Sequence, residues 1–181
     1  MDANLIYGLK LVEEPDLLNG DGTTYHLAGI AHQASPYAGT YAAAGDTPLD
    51  TLRHAILELE NVEEMCTGII VNPVDAHRID LIKSEEGGTN KGKYVAADPL
   101  GGMLTVRTTW GRPTVVTRSM PAGKFLAGNF GLVVIGDRMD ATVDVSENVN
   151  DDFVKNRIVL RAEERIALAV LRPSAFRYGS I

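Results

Sequence analysis

The sequence predicts an α+β protein. Eighteen glycines and eight prolines in 181 residues imply many turns joining short elements. Apolar residues recur at helical spacing across residues 48–64 and at strand spacing after residue 140. A content of 45% hydrophobic and 23% charged residues is typical of globular chains, and the length suffices for one core or two small lobes.

The first segment has a helical pattern, carried by Leu5, Leu9 and Val12. It begins without a capping residue, so it is predicted to be the end of a longer helix that stops before Pro15. Gly20 and Gly22 then favour a tight turn over residues 19–23, because glycine tolerates positive φ. Residues 31–45 are small and polar without a period, which indicates a surface loop.

A second helix is predicted over residues 48–64. Thr47 supplies a capping hydroxyl, Pro48 occupies the first helical position and Asp50 is the acid at the third. One buried stripe is predicted from the spacing of Leu49, Leu52, Ile56 and Leu59. His54 lies beside this stripe, where a structural role is favoured over a catalytic one.

A strand followed directly by a helix is predicted over residues 67–83. Gly68–Val71 is a short apolar run, and Asn72 and Pro73 are a helix start. The glycine-rich stretch 84–93 indicates a loop. Four further short strands are predicted at Leu104–Val106, Thr114–Thr117, Phe125–Leu126 and Leu132–Ile135.

A long two-stranded ribbon is predicted over residues 141–172. Ala141, Val143 and Val145 alternate with polar residues, a polar turn follows at 148–152, and a second alternating run extends from residue 158 to 170. Glu164 falls on the apolar parity of that run, so it requires a bulge or a paired carboxylate. Residues 162–171 are also good helix formers, which leaves a helix as the alternative.

Composition argues against several classes of function. A net charge of -7 and a pI near 5.0 are unsuited to wrapping nucleic acid. A single cysteine, Cys66, cannot form an internal disulfide and is expected to be buried. No stretch approaches the length of a membrane span, and the first residues do not resemble a secretion leader, so a soluble, unsecreted chain is expected.

No cofactor, metal or small-molecule substrate is expected. Gly87 to Lys93 matches the sequence pattern of a phosphate loop, but Tyr94 stands where that motif has serine or threonine. No strand pattern precedes the run, as a phosphate loop requires. The histidines lack the spacing of a metal site; they are His26, His32, His54 and His77. An enzyme of small-molecule metabolism is therefore a distant hypothesis, because no pocket with convergent titratable groups is indicated.

Several runs resemble, in order, the major capsid protein family of tailed bacteriophages. The carboxy-terminal ones are DFVKN at 152–156, RAEER at 161–165 and LRPSAF at 171–176. Earlier ones are LNGDG at 18–22, VNP at 71–73, WGRPTVV at 110–116, GKFLAGNF at 123–130 and DRM at 137–139. The resemblance covers nearly the whole chain.

This resemblance implies a Hong Kong ninety-seven type fold. Residues 24–130 would form an axial lobe, and residues 1–23 and 131–181 a partial peripheral lobe with long antiparallel strands. The implied partner is the protein itself, in pentamers and hexamers of a virion shell made in the bacterial cytoplasm. The family's amino-terminal arm, extended loop and most of its spine helix have no counterpart in these 181 residues, which suggests a trimmed chain or a degraded prophage gene.

The resemblance also singles out Asn156 and Glu163. In part of the family, a lysine of the extended loop attacks an asparagine carboxamide while a glutamate acts as base, and these two residues occupy the matching places. Seven positions apart, they point to opposite faces of an unbroken strand, so the base would serve an asparagine of another chain. The alternative is structural: Asn156 caps the ribbon turn, and Glu163 pairs with Arg161 or Arg165.

Three hypotheses of function follow. The first is a major capsid subunit that builds the head shell of a tailed phage or prophage. The second is the shell protein of an encapsulating nanocompartment with the same fold, and the third is the metabolic enzyme. No catalytic residue is predicted other than the crosslink candidates.

Overall fold

The computed structural model describes residues 2–24, 26–83, 107–146 and 154–181. Four α-helices lie in these ranges: α1 Asp2–Asn19, α2 Ile30–Gln33, α3 Pro48–Glu60 and α4 Pro73–Asp80. The same ranges hold eight strands: β1 Ser35–Pro36, β2 Gly68–Val71, β3 Thr108–Thr109, β4 Arg112–Val116, β5 Lys124–Gly128, β6 Val133–Ser146, β7 Val159–Val170 and β8 Phe176–Ser180. The α+β prediction is therefore confirmed.

Four predicted features lie outside the described residues. They are the loop at 84–93, the run that resembles a phosphate loop at 87–93, the strand at 104–106 and the ribbon turn at 148–152. None of the described helices is long and apolar enough to cross a membrane.

The strands form two sheets. The larger has six strands in the order β1-β8-β5-β2-β4-β3, and β6 pairs with β7 in the smaller. Two pairings of the larger sheet are parallel, β1 with β8 and β2 with β4, whereas β5 runs antiparallel to both β2 and β8. β3 and β4 make an antiparallel hairpin.

The chain divides into two compact units. Unit 1 comprises Met1–His32 and Val134–Ala169, and unit 2 comprises Gln33–Val133 and Val170–Ile181. These bounds differ from the expected divisions after residues 23 and 130. The last twelve residues belong with the central segment, because β8 hydrogen-bonds to β1 and β5 in the larger sheet.

The prediction that the first helix stops before Pro15 is wrong, because α1 continues to Asn19. Proline removes one backbone donor and crowds the preceding turn. Contacts beyond the proline stabilise the last turn: the Asp16 carbonyl accepts from Gly20 N at 2.9 Å, and its carboxylate accepts from Leu27 N at 3.0 Å. Leu18 is buried, whereas Val12, predicted on the apolar stripe, is 69% exposed.

The predicted tight turn follows α1. Gly22 has a φ of +73°, and Asp21 accepts hydrogen bonds from the backbone and hydroxyl of Thr23. Gly20 does not have the predicted positive φ, and glycine is required there for another reason. A Cβ there would lie 2.2 Å from the Leu27 carbonyl oxygen, so the close approach of the returning chain requires glycine.

Residues 31–45 are not wholly a loop, as predicted, because α2 and β1 occupy part of the segment. β1 is a two-residue strand that pairs with β8, from the end of the chain. The rest remains irregular. His54 Nε2 lies 3.3 Å from an Asp46 carboxylate oxygen, in keeping with a structural role for this histidine.

Helix α3 begins with the predicted capping box. Thr47 Oγ1 accepts from Asp50 N, and the Asp50 carboxylate accepts from Thr47 N at 2.9 Å. The helix ends at Glu60, four residues earlier than predicted. Glu64 N donates to the Leu59 carbonyl and Glu63 has a φ of +60°, a left-handed helix ending that usually takes glycine.

The strand-to-helix unit β2–α4 has the predicted form. Asn72 caps α4 through its side-chain oxygen, which accepts from Val74 N at 2.9 Å. Its amide nitrogen donates to the Met120 carbonyl at 2.6 Å. A single asparagine therefore starts the helix and fixes the chain segment that leads into β5.

The core of unit 2 lies between α3, α4 and the sheet. Buried Cys66 donates its S–H to the Gly68 carbonyl at 3.3 Å, and burial raises the pKa of the thiol. Besides Cys66, the core cluster is apolar and consists of Leu52, Ala55, Ile56, Leu59, Ile69, Val71, Ala76, Ile79, Phe125 and Ala127. It contains the predicted α3 stripe except Leu49, which is half-buried and packs against the cluster.

The predicted ribbon is confirmed, and a helix across residues 158–170 is excluded. Close contacts join Gly136 to Ala167 and Asp144 to Arg161, so the strands run in opposite directions. The ribbon is longer than predicted. The separate strand expected at 132–135 is the beginning of β6, which continues unbroken to Ser146.

We expect Thr47→Ala to destabilise the chain by about 1 kcal/mol, because the Asp50 amide loses its acceptor at the start of α3. Urea denaturation should show a lower midpoint. Thr47→Ser, which keeps the oxygen, is the matched control and should retain most of the stability. Equal midpoints for the two variants would contradict a stabilising role for the capping oxygen.

Candidate functional site on the two-stranded ribbon

One face of β7 is half-buried. The residues on it are the predicted apolar parity of the strand: Leu160, Ala162, Glu164, Ile166, Leu168 and Val170. The side chain of Glu164 is only 8% exposed, and its carboxylate lies 3.0 Å from Lys10 Nζ on α1. Of the two arrangements predicted for Glu164, the structure has the paired carboxylate.

Lys10 bonds to two carboxylates at once. Its Nζ lies 2.6 Å from Glu13 and 3.0 Å from Glu164. The hydrogen bonds to Glu13 and then to Glu164 raise the pKa of Lys10 to about 12. Lys10 therefore stays charged at neutral pH and compensates the carboxylate on the buried face of the ribbon.

An open groove of about 980 Å³ lies between α1 and β7 within unit 1. Its walls are mainly apolar, and His26 Nδ1 lies 2.8 Å from Asp16 Oδ1 at its edge. Among the described residues, no group of three histidine, cysteine or acidic side chains could hold a metal ion. Charged side chains also line the groove, among them Asp16, His26 and Glu164.

The opposite face of the ribbon carries an exposed ion-pair network. Arg161 donates to Asp144 across the two strands at 3.0 Å, and its Nε lies 3.4 Å from Glu163 on the same strand. These contacts raise the pKa of Arg161, the hydrogen bond to Asp144 first. The structural alternative, in which Glu163 pairs with Arg161 or Arg165, agrees with this contact to Arg161.

Asn156 lies in the turn that leads into β7. It is exposed and has a φ of +50°, in the left-handed region that asparagine tolerates better than most residues. No hydrogen bond joins Asn156 to Glu163 in the described parts of the chain. Both side chains are accessible to solvent.

Two ion pairs of the ribbon were not predicted. The pairing of Asp144 with Arg161 depends on the register of the strands, which the sequence does not specify. The ion pair between Lys10 and Glu164 was not predicted, although a carboxylate on the apolar parity of β7 requires a partner. Lys10 and Glu13 also have the i, i+3 spacing of a helical ion pair.

Comparison with known proteins decides the family. The sequence pattern of the phage capsid family matches residues 1–181, which is the whole chain. The chain belongs to the phage capsid family. It is 42% identical to the major capsid protein of Enterobacteria phage HK97 over 181 residues, covering 99% of this chain and 45% of that protein. It therefore spans less than half the length of this relative.

Solved structures share the fold at lower identity. The capsid of an empty GTA particle, computed with C5 symmetry, aligns with a TM-score of 0.74 and 20% identity, covering 99% of this chain and 64% of that chain. A structure from Gordonia phage Cozz gives a TM-score of 0.71 at 15% identity, with 99% and 61% covered. The expected capsid fold of Hong Kong ninety-seven type is thereby confirmed.

We expect Lys10→Met to lower thermal stability, because Glu164 then keeps a nearly buried carboxylate without its cation. The double variant Lys10→Met/Glu164→Gln should recover part of the loss. A thermal-unfolding midpoint no higher in the double variant than in Lys10→Met would contradict the pairing.

The same pair has a defined pH dependence. The pKa of Lys10 is raised above its ordinary value of 10.5 to about 12 in the folded chain. The contribution of charged Lys10 to the free energy of unfolding is therefore complete below pH 10.5 and is lost as the pH rises through about 12. The difference in midpoint between the unmodified chain and the double variant should narrow across that interval.

Asn156 and Glu163 are expected not to react within the isolated chain, because no hydrogen bond joins them in the described part of the chain and Glu163 lies against Arg161. Mass spectrometry should show no loss of ammonia, about 17 Da, the mass released when an amine displaces a carboxamide nitrogen. Denaturing gels should show one band. A covalent ladder in the purified chain would contradict this expectation.

Proposed function

We propose that this chain is part of a structural subunit that builds the icosahedral head shell of a tailed phage or prophage. The observation that carries the proposal is the 42% identity, over essentially the whole chain, to a major capsid protein. At that identity the two chains share a fold.

The proposed partners are further copies of the same protein, in pentamers and hexamers. The GTA capsid that shares the fold was computed with C5 symmetry, which is compatible with rings of identical subunits. A net charge of -7 disfavours tight contact with the phosphate backbone of packaged nucleic acid. We place the protein in the virion, after synthesis in the bacterial cytoplasm.

We further propose that unit 2 is the axial lobe and that unit 1 belongs to the peripheral lobe. The six-stranded sheet and its two covering helices make unit 2 a self-contained core. Unit 1 contains the long ribbon and α1, the elements that the resemblance places at the periphery. The division thus follows the observed unit bounds and not the ones expected from the sequence.

A nanocompartment shell is the second candidate. A virus-like particle from Pyrococcus furiosus shares the fold with a TM-score of 0.55 at 16% identity, covering 93% of this chain and 61% of that chain. Identity at that level supports the fold alone. No observation on this chain favours a compartment over a phage head.

Asn156 and Glu163 are proposed as the crosslinking pair of the assembled shell. A lysine Nζ of a neighbouring subunit would form a bond to the Asn156 carboxamide carbon, and the Asn156 side-chain nitrogen would leave as ammonia. Glu163 of a chain other than the one that supplies Asn156 would accept a proton from the attacking amine and return it to the leaving nitrogen. Arg161, 3.4 Å from Glu163, would have to yield its contact to the incoming lysine.

A chimera tests the shell function. Residues 1–181 would replace the matching part of the phage HK97 major capsid protein, which covers 45% of its length, and the HK97 protein would supply the rest. Electron microscopy of the purified product should show closed particles, as for the unmodified HK97 protein produced in parallel. A folded chimera that stays monomeric while the HK97 protein assembles would overturn the proposal.

The crosslink is tested separately in the same chimera. Glu163→Gln and Asn156→Asp should leave assembly intact and remove any covalent ladder on denaturing gels. Glu164→Gln, one position away on the opposite face, is the matched control and should keep the ladder. Particles without a ladder in the unsubstituted chimera would refute the crosslink while leaving the shell function standing.

The 181-residue chain alone is expected to fold without closing a shell. Its core is complete in unit 2, but the resemblance assigns contacts between capsomers largely to the arm and extended loop. Stable interfaces bury about 1,200–2,000 Å², which a subunit without those overlaps is not expected to reach. Light scattering across a range of concentrations should show monomers or small oligomers. Regular closed particles would mean that these 181 residues hold the assembly contacts.

A further inference from the structure

Helix α1 ends in the only asparagine of the sequence that is followed by glycine, Asn19 before Gly20. In an unfolded chain such a pair reacts with itself, because glycine has no side chain to keep its backbone nitrogen away from the asparagine carboxamide. The Gly20 nitrogen attacks Asn19 Cγ and gives its proton to a base in the solvent. The side-chain nitrogen leaves as ammonia, and the cyclic imide that remains adds water to give aspartate or isoaspartate.

The fold requires glycine at this reactive position. A Cβ on Gly20 would lie 2.2 Å from the Leu27 carbonyl oxygen and 2.5 Å from the Asp16 carbonyl oxygen. Both oxygens belong to backbone, so neither can move aside as a flexible side chain would. The residue that makes Asn19 reactive is therefore the one that the end of α1 needs.

The folded chain blocks the attack at the Gly20 nitrogen. This nitrogen donates to the Asp16 carbonyl at 2.9 Å. Backbone also encloses it, since a Cβ on Gly29 would lie 2.6 Å from Gly20 N. In a helix, moreover, each Cα–Cβ bond tilts toward the amino-terminal end, away from the next nitrogen along the chain. A bonded, enclosed nitrogen cannot pass its proton to solvent, so the first step of the reaction is prevented.

The returning chain holds this arrangement in place. Gly29 N donates to the Gly20 carbonyl at 2.8 Å, and Leu27 N donates to the Asp16 carboxylate at 3.0 Å. The other oxygen of that carboxylate lies 2.8 Å from His26 Nδ1. Asp16 thus contributes twice, with its backbone carbonyl to Gly20 and with its side chain to residues 26 and 27.

We propose that Asn19–Gly20 is a self-modification site controlled by the end of α1. It is inert while Gly20 N is bonded to Asp16, and it reacts when the last turn of the helix opens. Refolding would not reverse the reaction. Isoaspartate lengthens the backbone where Gly20 is already in close contact with residue 27, and either product adds a negative charge between Asp16 and Asp21. A chain that has opened here is marked permanently, whether or not the proposed shell function holds.

The unmodified chain tests the proposal when it is incubated in mildly alkaline buffer with and without guanidinium chloride. The peptide that contains Asn19 should lose ammonia and gain water, a net increase of about 1 Da. A slow reaction follows the population of the open form, so we expect it to be at least about tenfold slower in the folded chain, which corresponds to about 1.4 kcal/mol for opening. Equal rates in the two solutions, or an unreactive Asn19 in the denatured chain, would overturn the proposal.

Two variants separate local opening from a general loss of stability. Asp16→Ala removes the carboxylate that holds Leu27. Asp80→Ala, the matched control, removes an acid at the end of α4 in unit 2 that pairs with Arg107 at 2.7 Å. In the absence of denaturant, Asp16→Ala should be modified at Asn19 several-fold faster than Asp80→Ala. A rate no higher than that of the control would refute control by the end of α1, and the comparison of folded and denatured unmodified chain depends on neither variant.

Discussion

Unit 2 depends on the burial of one four-residue strand. β2 pairs with β4 on one side and with β5 on the other, and Ile69 and Val71 are fully buried. A strand enclosed in this way must place every backbone donor and acceptor in the sheet. Its register thereby fixes both neighbours, and its end fixes Asn72, from which α4 begins. A shift of β4 or β5 along β2 would break the hydrogen bonds between these strands.

Elements with local signals were predictable from the sequence. The capping box of α3 involves residues three apart, and the alternation of β7 lies within one run of the chain. Elements that depend on distant partners were not. β1 has two residues and exists because β8, at the other end of the chain, pairs with it. Pro15 predicted a helix end because proline usually interrupts a helix. The contacts that stabilise the last turn of α1 come from residues 20–27, and no local pattern around Pro15 indicates them.

The ribbon shows the same division between local and distant information. Strand parity predicted that Glu163 and Glu164 lie on opposite faces. In the structure, Glu163 belongs to an exposed ion pair, and Glu164 pairs with Lys10 on α1. The identity of each partner could not be predicted, since it depends on cross-strand register and on helix packing. The place of Asn156 in a left-handed turn also had no local signal beyond the tolerance of asparagine for that conformation.

The sheet of unit 2 ends at β1 with Pro36, an exposed residue at the free edge. Proline offers no backbone N–H, so this edge cannot serve as a full template for another strand. An unprotected strand edge can pair with the edge of another chain and lead to aggregation. The two-residue length of β1 and its proline oppose strand addition at this edge, so a second chain would have to bind here through side chains.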